Sequence, residues 1–187
     1  DLREFIAQLE REGLLARVKA SVDRDLEITE VTDRISKANG PALLFENVQG
    51  FDVPVLMNAF GSFERMAMAL EVESLDEIGK EITSLIELST EVGQAGFFGK
   101  LQALPKLAEL ASLFPKVVGR GACQEVVLGP EDGATLDRFP ILKSWPDDGG
   151  RFITLPLVFT RDPETGRRNV GMYRLQVYDG LTTGMHW

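Results

Sequence analysis

The chain has 187 residues, with 20 Lys and Arg against 29 Asp and Glu, giving a formal net charge of −9 and a pI near 4.7. That balance argues against nucleic acid as a partner, which rests on clustered Lys and Arg, and it means that an enzyme taking an anionic substrate here needs a locally placed Arg. A lone Cys cannot form an internal disulfide, no stretch approaches the ~20 apolar residues of a transmembrane span, and no signal peptide is visible, so a soluble, reducing, cytoplasmic setting is expected.

In chain order, Leu2, Phe5, Ile6 and Leu9 recur at helical spacing, and Gly13 is a plausible stop for a short amphipathic helix. A strand from Leu14 to Val18 follows. Asp25 is placed to cap a second helix carrying Leu26, Ile28, Val31 and Ile35, which ends near Asn39-Gly40. Two apolar strands, Ala42 to Val48 and Val53 to Phe60, are joined by Gln49-Gly50-Phe51-Asp52 and predicted to be buried. Gly61-Ser62 leads into a helix from Phe63 to Leu70. Ser74 can cap another from Leu75 to about Leu88, and a third helical stretch, Phe97 to Leu113, contains Pro105, which would kink or split it. From Lys116 β-signals take over, with Cys123 expected in a strand as a small buried hydrophobe. Pro130 to Leu142 reads as an irregular connection. The composition shift near Gly119 to Gly121 predicts a domain boundary, giving an α/β domain over residues 1–118 and a mainly β domain over 119–187.

The run from Phe152 to Thr160 alternates, with Ile153, Leu155, Leu157 and Phe159 on one face, and the turn Asp162-Pro163-Glu164-Thr165-Gly166 returns the chain as a second strand, Asn169 to Tyr178. Asn169 and Arg174 stand five residues apart on that strand, so regular pleating would point them to opposite faces. If both serve one ligand, the strand must be irregular, and Gly171 is the predicted place for a bulge or kink.

Common cofactor signatures fail. Gly99-Lys100 lacks the Walker spacing, and Gly119 and Gly121 lack the third Gly of a dinucleotide fingerprint. With His186 the only histidine, a zinc-protease motif is impossible, and so is a Ser-His-Asp triad unless His186 itself serves. His186 beside Trp187 reads more often as a hydrogen-bonded structural residue than as a catalyst. Arg174 inside a strand needs an anion or carboxylate partner if buried, and otherwise is a surface Arg or part of a structural ion pair. Asn169 also suits the plain start of a strand after a turn. Asp147-Asp148-Gly149-Gly150 reads as a simple turn. The chain opens at Asp1 directly in a helical pattern and stops at Trp187 in an apolar-aromatic run, as an excerpt would.

Taken together, DLREFIAQLEREG, DLEITEVTDRI, GPALLFENV with PVLMNAFGSFER, PILKSWPDDGGRFITLPLVFTRDPETGRRNVGMYR and the closing GMHW resemble the N-terminal part of the UbiD family of prenylated-FMN-dependent decarboxylases. The resemblance implies an α+β fold, in which an N-terminal α/β region is followed by the first strands of an FMN-binding split β-barrel, incomplete in this chain. It implies a non-oxidative, reversible carboxy-lyase acting on an aromatic or α,β-unsaturated acid, 4-hydroxybenzoate-like acids included, with prenylated FMN, Mn2+ or another divalent metal, and K+. Asn169 matches the family's metal-binding Asn, Met172, Tyr173 and Arg174 its flavin-contacting stretch, Arg174 its catalytic Arg, and His186 and Trp187 a further cofactor-contacting segment. A flavin prenyltransferase would supply the cofactor, and a homo-oligomer is expected, with the 187 residues alone inactive. An FMN-dependent oxidoreductase and a non-catalytic subunit of a carboxylase complex are the rival readings.

Overall fold

The computed structural model describes residues 1–94 and 116–186. Within them the chain is a mixed α/β structure with three small sheets, and its contacts divide into two units, one of residues 1–65 with 129–187 and one of residues 66–128.

The first unit opens with α1 (Leu2–Arg11). Asp1 caps it by accepting from the N–H groups of Arg3 and Glu4, while the Glu4 side chain reaches back to the Asp1 amine, a capping box that meets donors the first turn leaves free. Gly13, at φ +70°, turns the chain out of the helix into β1 (Leu15–Val18). β1 pairs in parallel with β2 (Ala42–Phe45), which pairs antiparallel with β3 (Val55–Met57). The crossover from β1 to β2 contains α2 (Glu27–Lys37), as a parallel connection requires. All four residues of β2 are buried, and Phe45 and Leu43 join Val22, Ile28 and Val48 in the core, with Val18, Val31, Ile35 and Met57 packed around them. Each such side chain contributes about 1.5–3 kcal/mol on burial.

Asp25 does not cap α2. Its carboxylate instead takes a bidentate grip from Arg151, Nε to Oδ1 at 3.0 Å and Nη2 to Oδ2 at 2.9 Å. The N-cap is Leu26, held at φ +71° by the bond from its N–H to the Lys143 carbonyl at 2.9 Å. Thr29 adds a hydroxyl shared between the carbonyls of Leu26 and Ser144. The first sheet is thereby pinned to sequence more than a hundred residues downstream.

That downstream part differs from the expected hairpin. Its two arms are each broken: β4 (Arg151–Ile153) and β5 (Leu157–Arg161) on the way out, β6 (Arg168–Met172) and β7 (Leu175–Val177) on the return, then β8 (Thr183–Met185). β5 and β6 form a two-stranded ribbon, while β4, β7 and β8 form a separate sheet in the order β4-β7-β8. Between the pairs Ile153↔Leu175 and Leu157↔Met172 the outgoing arm carries Thr154, Leu155 and Pro156 against only Tyr173 and Arg174. The extra residue is thus on the arm opposite the one predicted, where Leu155 takes φ +63° beside a proline that has no N–H to give a ladder. Gly171 sits in regular register with Val158 and is no bulge. A Cβ there would come within 2.4 Å of the Tyr173 ring, so Gly171 admits that ring.

α3 (Phe63–Ala69) begins in the first unit, and in the second α4 (Leu75–Gln94) runs past the expected end near Leu88, with Ser74 Oγ accepting from the Asp76 N–H at 3.1 Å. The stretch Phe97 to Leu113 lies outside the described residues. The strand expected around Cys123 is absent: residues 122–124 form a 3-10 turn, Cys123 is exposed, and Val117, Val118, Val126 and Val127 are exposed too, because a β-branched run without a partner strand has no ladder to join. Two further 3-10 turns, Pro130–Asp132 and Leu136–Arg138, occupy the predicted irregular connection. Among the described residues no helix is long and apolar enough to cross a membrane.

Candidate functional site

Arg174 occupies the break between β6 and β7, which frees its side chain from the pleat of either strand. The guanidinium carbon lies 3.9 Å from the centre of the Phe152 ring, a cation–π contact that helps to hold it. Its Nη2 donates to Asp148 Oδ2 at 3.2 Å, and the same oxygen accepts from the Trp145 N–H at 3.2 Å. The predicted turn of Asp147 to Gly150 is present, closed by Asp148 N–H to the Trp145 carbonyl at 3.1 Å and steadied by Gln176 Nε2 donating to the Gly149 carbonyl at 3.0 Å. What sequence reasoning missed is that this turn supplies the arginine's partner. An acidic residue beside two glycines was the available signal.

The free side of Arg174 faces a cleft of about 420 Å³. Thr29, Thr32, Asp33 and Ser36 of α2 form one wall, a polar stripe at helical spacing, and Met57, Ser144, Trp145 and Thr154 complete it. A fixed, permanently charged planar donor at the edge of such a cleft suits a carboxylate.

Asn169 lies elsewhere. It pairs with Thr160 in the ribbon and lines a second cleft, of about 370 Å³, with Thr160, Arg161, Asp162, Arg167 and Arg168. The two polar residues that the sequence suggested for one site therefore line different clefts. The pleat of β6 also sets Asn169 opposite to Met172, which shares its face with Val170 and Arg168.

The residues described around Asn169 do not by themselves make a metal site. The cleft carries three guanidinium groups, and Asp162 is occupied by the Thr165 hydroxyl and the N–H groups of Glu164 and Thr165. Those bonds, the hydroxyl's first, hold the Asp162 carboxyl below the usual carboxylate range. Among the described residues no group of three or more His, Cys, Asp or Glu is placed to hold a metal ion. Asn169 offers one neutral oxygen.

A flavin nucleotide, an extended apolar ring system bearing a phosphate, fits better in kind. One face of the ribbon presents the exposed pairs Leu157 with Met172 and Phe159 with Val170, ending in Arg161 opposite Arg168. Met172 stands four positions along the strand from Arg168, about 13 Å. Tyr173 is half-buried over Gly171, His186 is exposed just past β8, and Trp187 lies outside the described residues.

Two family models match the chain: the 3-octaprenyl-4-hydroxybenzoate carboxy-lyase N-terminal domain over residues 6–82 and the Rift-related domain of the same carboxy-lyase over residues 116–187. An uncharacterized protein of Archaeoglobus fulgidus is 54% identical over 187 residues, which make up 100% of this chain and 37% of that protein. The chain thus spans little more than a third of the length of that relative. Among solved structures it is similar to the UbiD-class enzyme HmfF from Pelotomaculum thermopropionicum in complex with FMN, at 28% identity and a TM-score of 0.69 over 100% of this chain and 36% of that one. An evolved dimeric form of HmfF in complex with prFMN matches at 28% identity and a TM-score of 0.70, over 100% of this chain and 38% of that one. The closed form of vanillic acid decarboxylase from Sedimentibacter hydroxybenzoicus matches at 29% identity and a TM-score of 0.74, over 99% of this chain and 36% of that one.

Proposed function

The chain belongs to the UbiD family, and from that premise we propose that it serves a carboxy-lyase which removes CO2, non-oxidatively and reversibly, from an aromatic or α,β-unsaturated acid, 4-hydroxybenzoate-like acids included. The observation that carries this reading is Arg174, held over the Phe152 ring, tied through Nη2 to Asp148, and lining a cleft. Arg174 binds the substrate carboxylate and fixes its plane. Its charge persists at every working pH, so the acid is held as its anion.

Prenylated FMN, when bound, supplies the electron sink for the departing carboxylate. Met172, Tyr173, Arg174, His186 and Trp187 are the residues we assign to contacting it, and the FMN and prFMN complexes of HmfF support that cofactor class. Asn169 would give a single oxygen to Mn2+ or another divalent ion, with K+ nearby, the other ligands coming from beyond the described residues; no step here depends on them. We further propose an N-terminal α/β domain over 1–118 and the start of a split β-barrel over 119–187, a boundary close to the start of the second family match at residue 116. The Asp25–Arg151 pair would then lie at the junction of the two. A homo-oligomer in the cytoplasm, served by a flavin prenyltransferase and inactive as these 187 residues alone, completes the reading.

The test is CO2 release from a panel of hydroxybenzoates by the full-length, prenylated-FMN-loaded enzyme carrying Arg174→Ala, against the same enzyme without the substitution. Loss of turnover by at least a hundredfold with intact flavin absorbance is expected. Undiminished CO2 release would remove Arg174 from the reaction, and NAD(P)H consumption in place of CO2 release would mark an oxidoreductase.

A further inference from the structure

The wall that α2 gives the Arg174 cleft is chemically one-sided. Thr32 Oγ1 donates to the Ile28 carbonyl at 2.7 Å, and Thr29 Oγ1 divides its proton between the carbonyls of Leu26 and Ser144 at 2.9 and 3.0 Å. A hydroxyl has one proton to give and lone pairs to receive with, so what both threonines have left for a ligand is acceptor capacity. Asp33 lies one helical turn on from Thr29 and next to Thr32, and it lines the same cleft. Its Oδ2 accepts from Lys37 Nζ at 2.6 Å, while its Oδ1 takes no bond among the described residues. The Lys37 side chain is 76% exposed, so this is a weak, solvent-screened pair that leaves the carboxylate open to a second partner.

The cleft is therefore charged at two places with opposite sign. Among the described residues that line it, Arg174 is the one cation and Asp33 the one carboxylate. An acid with no other polar group would satisfy Arg174 and strip water from Asp33 without replacing it. An acid carrying a methyl ether or a second carboxylate would set lone pairs against lone pairs. An acid with an O–H or N–H remote from its carboxylate meets both ends. About 420 Å³ is within the range of small-molecule sites, and Met57 and Trp145 add apolar surface for a ring.

We propose that Asp33, with Thr32 beside it, is a specificity-determining residue that selects acids bearing a hydrogen-bond donor, a hydroxyl or an amine, away from the carboxylate. The proposal rests on the reading of Arg174 as the carboxylate's partner. It gives α2, which lies in the N-terminal family match, a part in choosing the substrate.

The test is calorimetric binding of benzoates and cinnamates to the full-length, FMN-loaded enzyme, each acid unsubstituted or bearing hydroxy, amino, methoxy or carboxylate at position 3 or 4. At the better position, the hydroxy or amino acid should bind about tenfold or more tighter than its methoxy counterpart, and the diacid most weakly. In Asp33→Ala the preference should fall below about threefold, the unsubstituted acid should be little changed and the diacid should tighten, while Thr32→Val should shrink the preference less. Tightening of the diacid is a gain that a misfolded variant could not show. Equal wild-type affinities for donor and methoxy acids at both positions, or a preference that survives Asp33→Ala, overturn the proposal. Arg174→Ala separates it from the reading beneath. If the unsubstituted acid binds Arg174→Ala as well as wild type, the carboxylate assignment falls and the proposal with it. If that acid is lost in Arg174→Ala while wild type ignores the substituent, Arg174 stands and the role of Asp33 alone falls. Failure of every acid to bind wild type refutes both.

Discussion

Removing the two members of the Asp25–Arg151 pair one at a time should give unequal losses, and the inequality tests how charge is arranged where the first sheet meets the later strands. Both side chains are 39% exposed, so solvent screening limits the pair itself to about 1 kcal/mol despite its two good bonds. Arg24 breaks the symmetry. Its guanidinium sits 4.6 Å over the Phe51 ring, and its pKa is lowered first by burial and next by the positive charge of Arg151, while Asp25, Asp137 and Asp23 oppose that shift. Asp25→Ala therefore loses the pair and also leaves two guanidinium groups facing each other with less compensation, for a total of about 2 kcal/mol. Arg151→Met loses the pair but relieves Arg24, and should cost about 1 kcal/mol or less. Urea unfolding followed by circular dichroism would read the difference as a midpoint shift of roughly 0.5 M at an m-value near 2 kcal/mol/M. High salt should narrow the gap. An Arg151→Met variant as destabilised as Asp25→Ala, or more so, would refute the reasoning.

Two further outcomes follow from local geometry. Asp148→Ala removes the acceptor that Arg174 and the Trp145 N–H share, so the Arg174 Nε–H resonance should broaden and turnover fall about tenfold, while Asp148→Asn, which keeps an acceptor oxygen, recovers most of both; an unchanged resonance in Asp148→Ala would leave Phe152 as the sole support. For Asp162 the sign is that of a depressed carboxyl: the ionised form steadies the hairpin turn above the ordinary Asp range, and that contribution disappears as pH falls through the lowered folded value. Amide-exchange protection of Glu164 and Thr165 should drop on acidification in the wild type and be insensitive to pH in Asp162→Asn once intrinsic rates are divided out.

Local patterns made α1 legible, because Leu2, Phe5, Ile6 and Leu9 mark its apolar stripe and Gly13 its stop. The buried run of β2 was legible for the same reason. The start of α2 was not: Asp25 is a good capping residue by type, and only a partner 126 residues away shows why its carboxylate is engaged elsewhere. Alternation from Phe152 to Thr160 described side-chain faces correctly within β5, yet alternation carries no trace of a backbone break, and the left-handed Leu155 has no local signature. Gly171 was singled out as the place for a bulge and is none; what excludes a Cβ there is the folded-back ring of Tyr173. At the candidate site Arg174 was legible as an arginine in need of a partner; Asp148 and Phe152 were not, since strand pairing and a distant turn bring them there. Cys123 and its valine neighbours look like a strand by propensity and lack one for want of a pairing edge.

Asp25 cannot meet Arg151 until the ribosome has added 126 more residues. At roughly 5–20 residues per second that is about 6–25 s of synthesis, during which Leu26 has no Lys143 carbonyl to hold its backbone and α2 has an unfinished first turn. The nascent protein thus carries a partly assembled α2 segment throughout that interval, a window in which a chaperone, rather than the native latch, would have to keep it from straying.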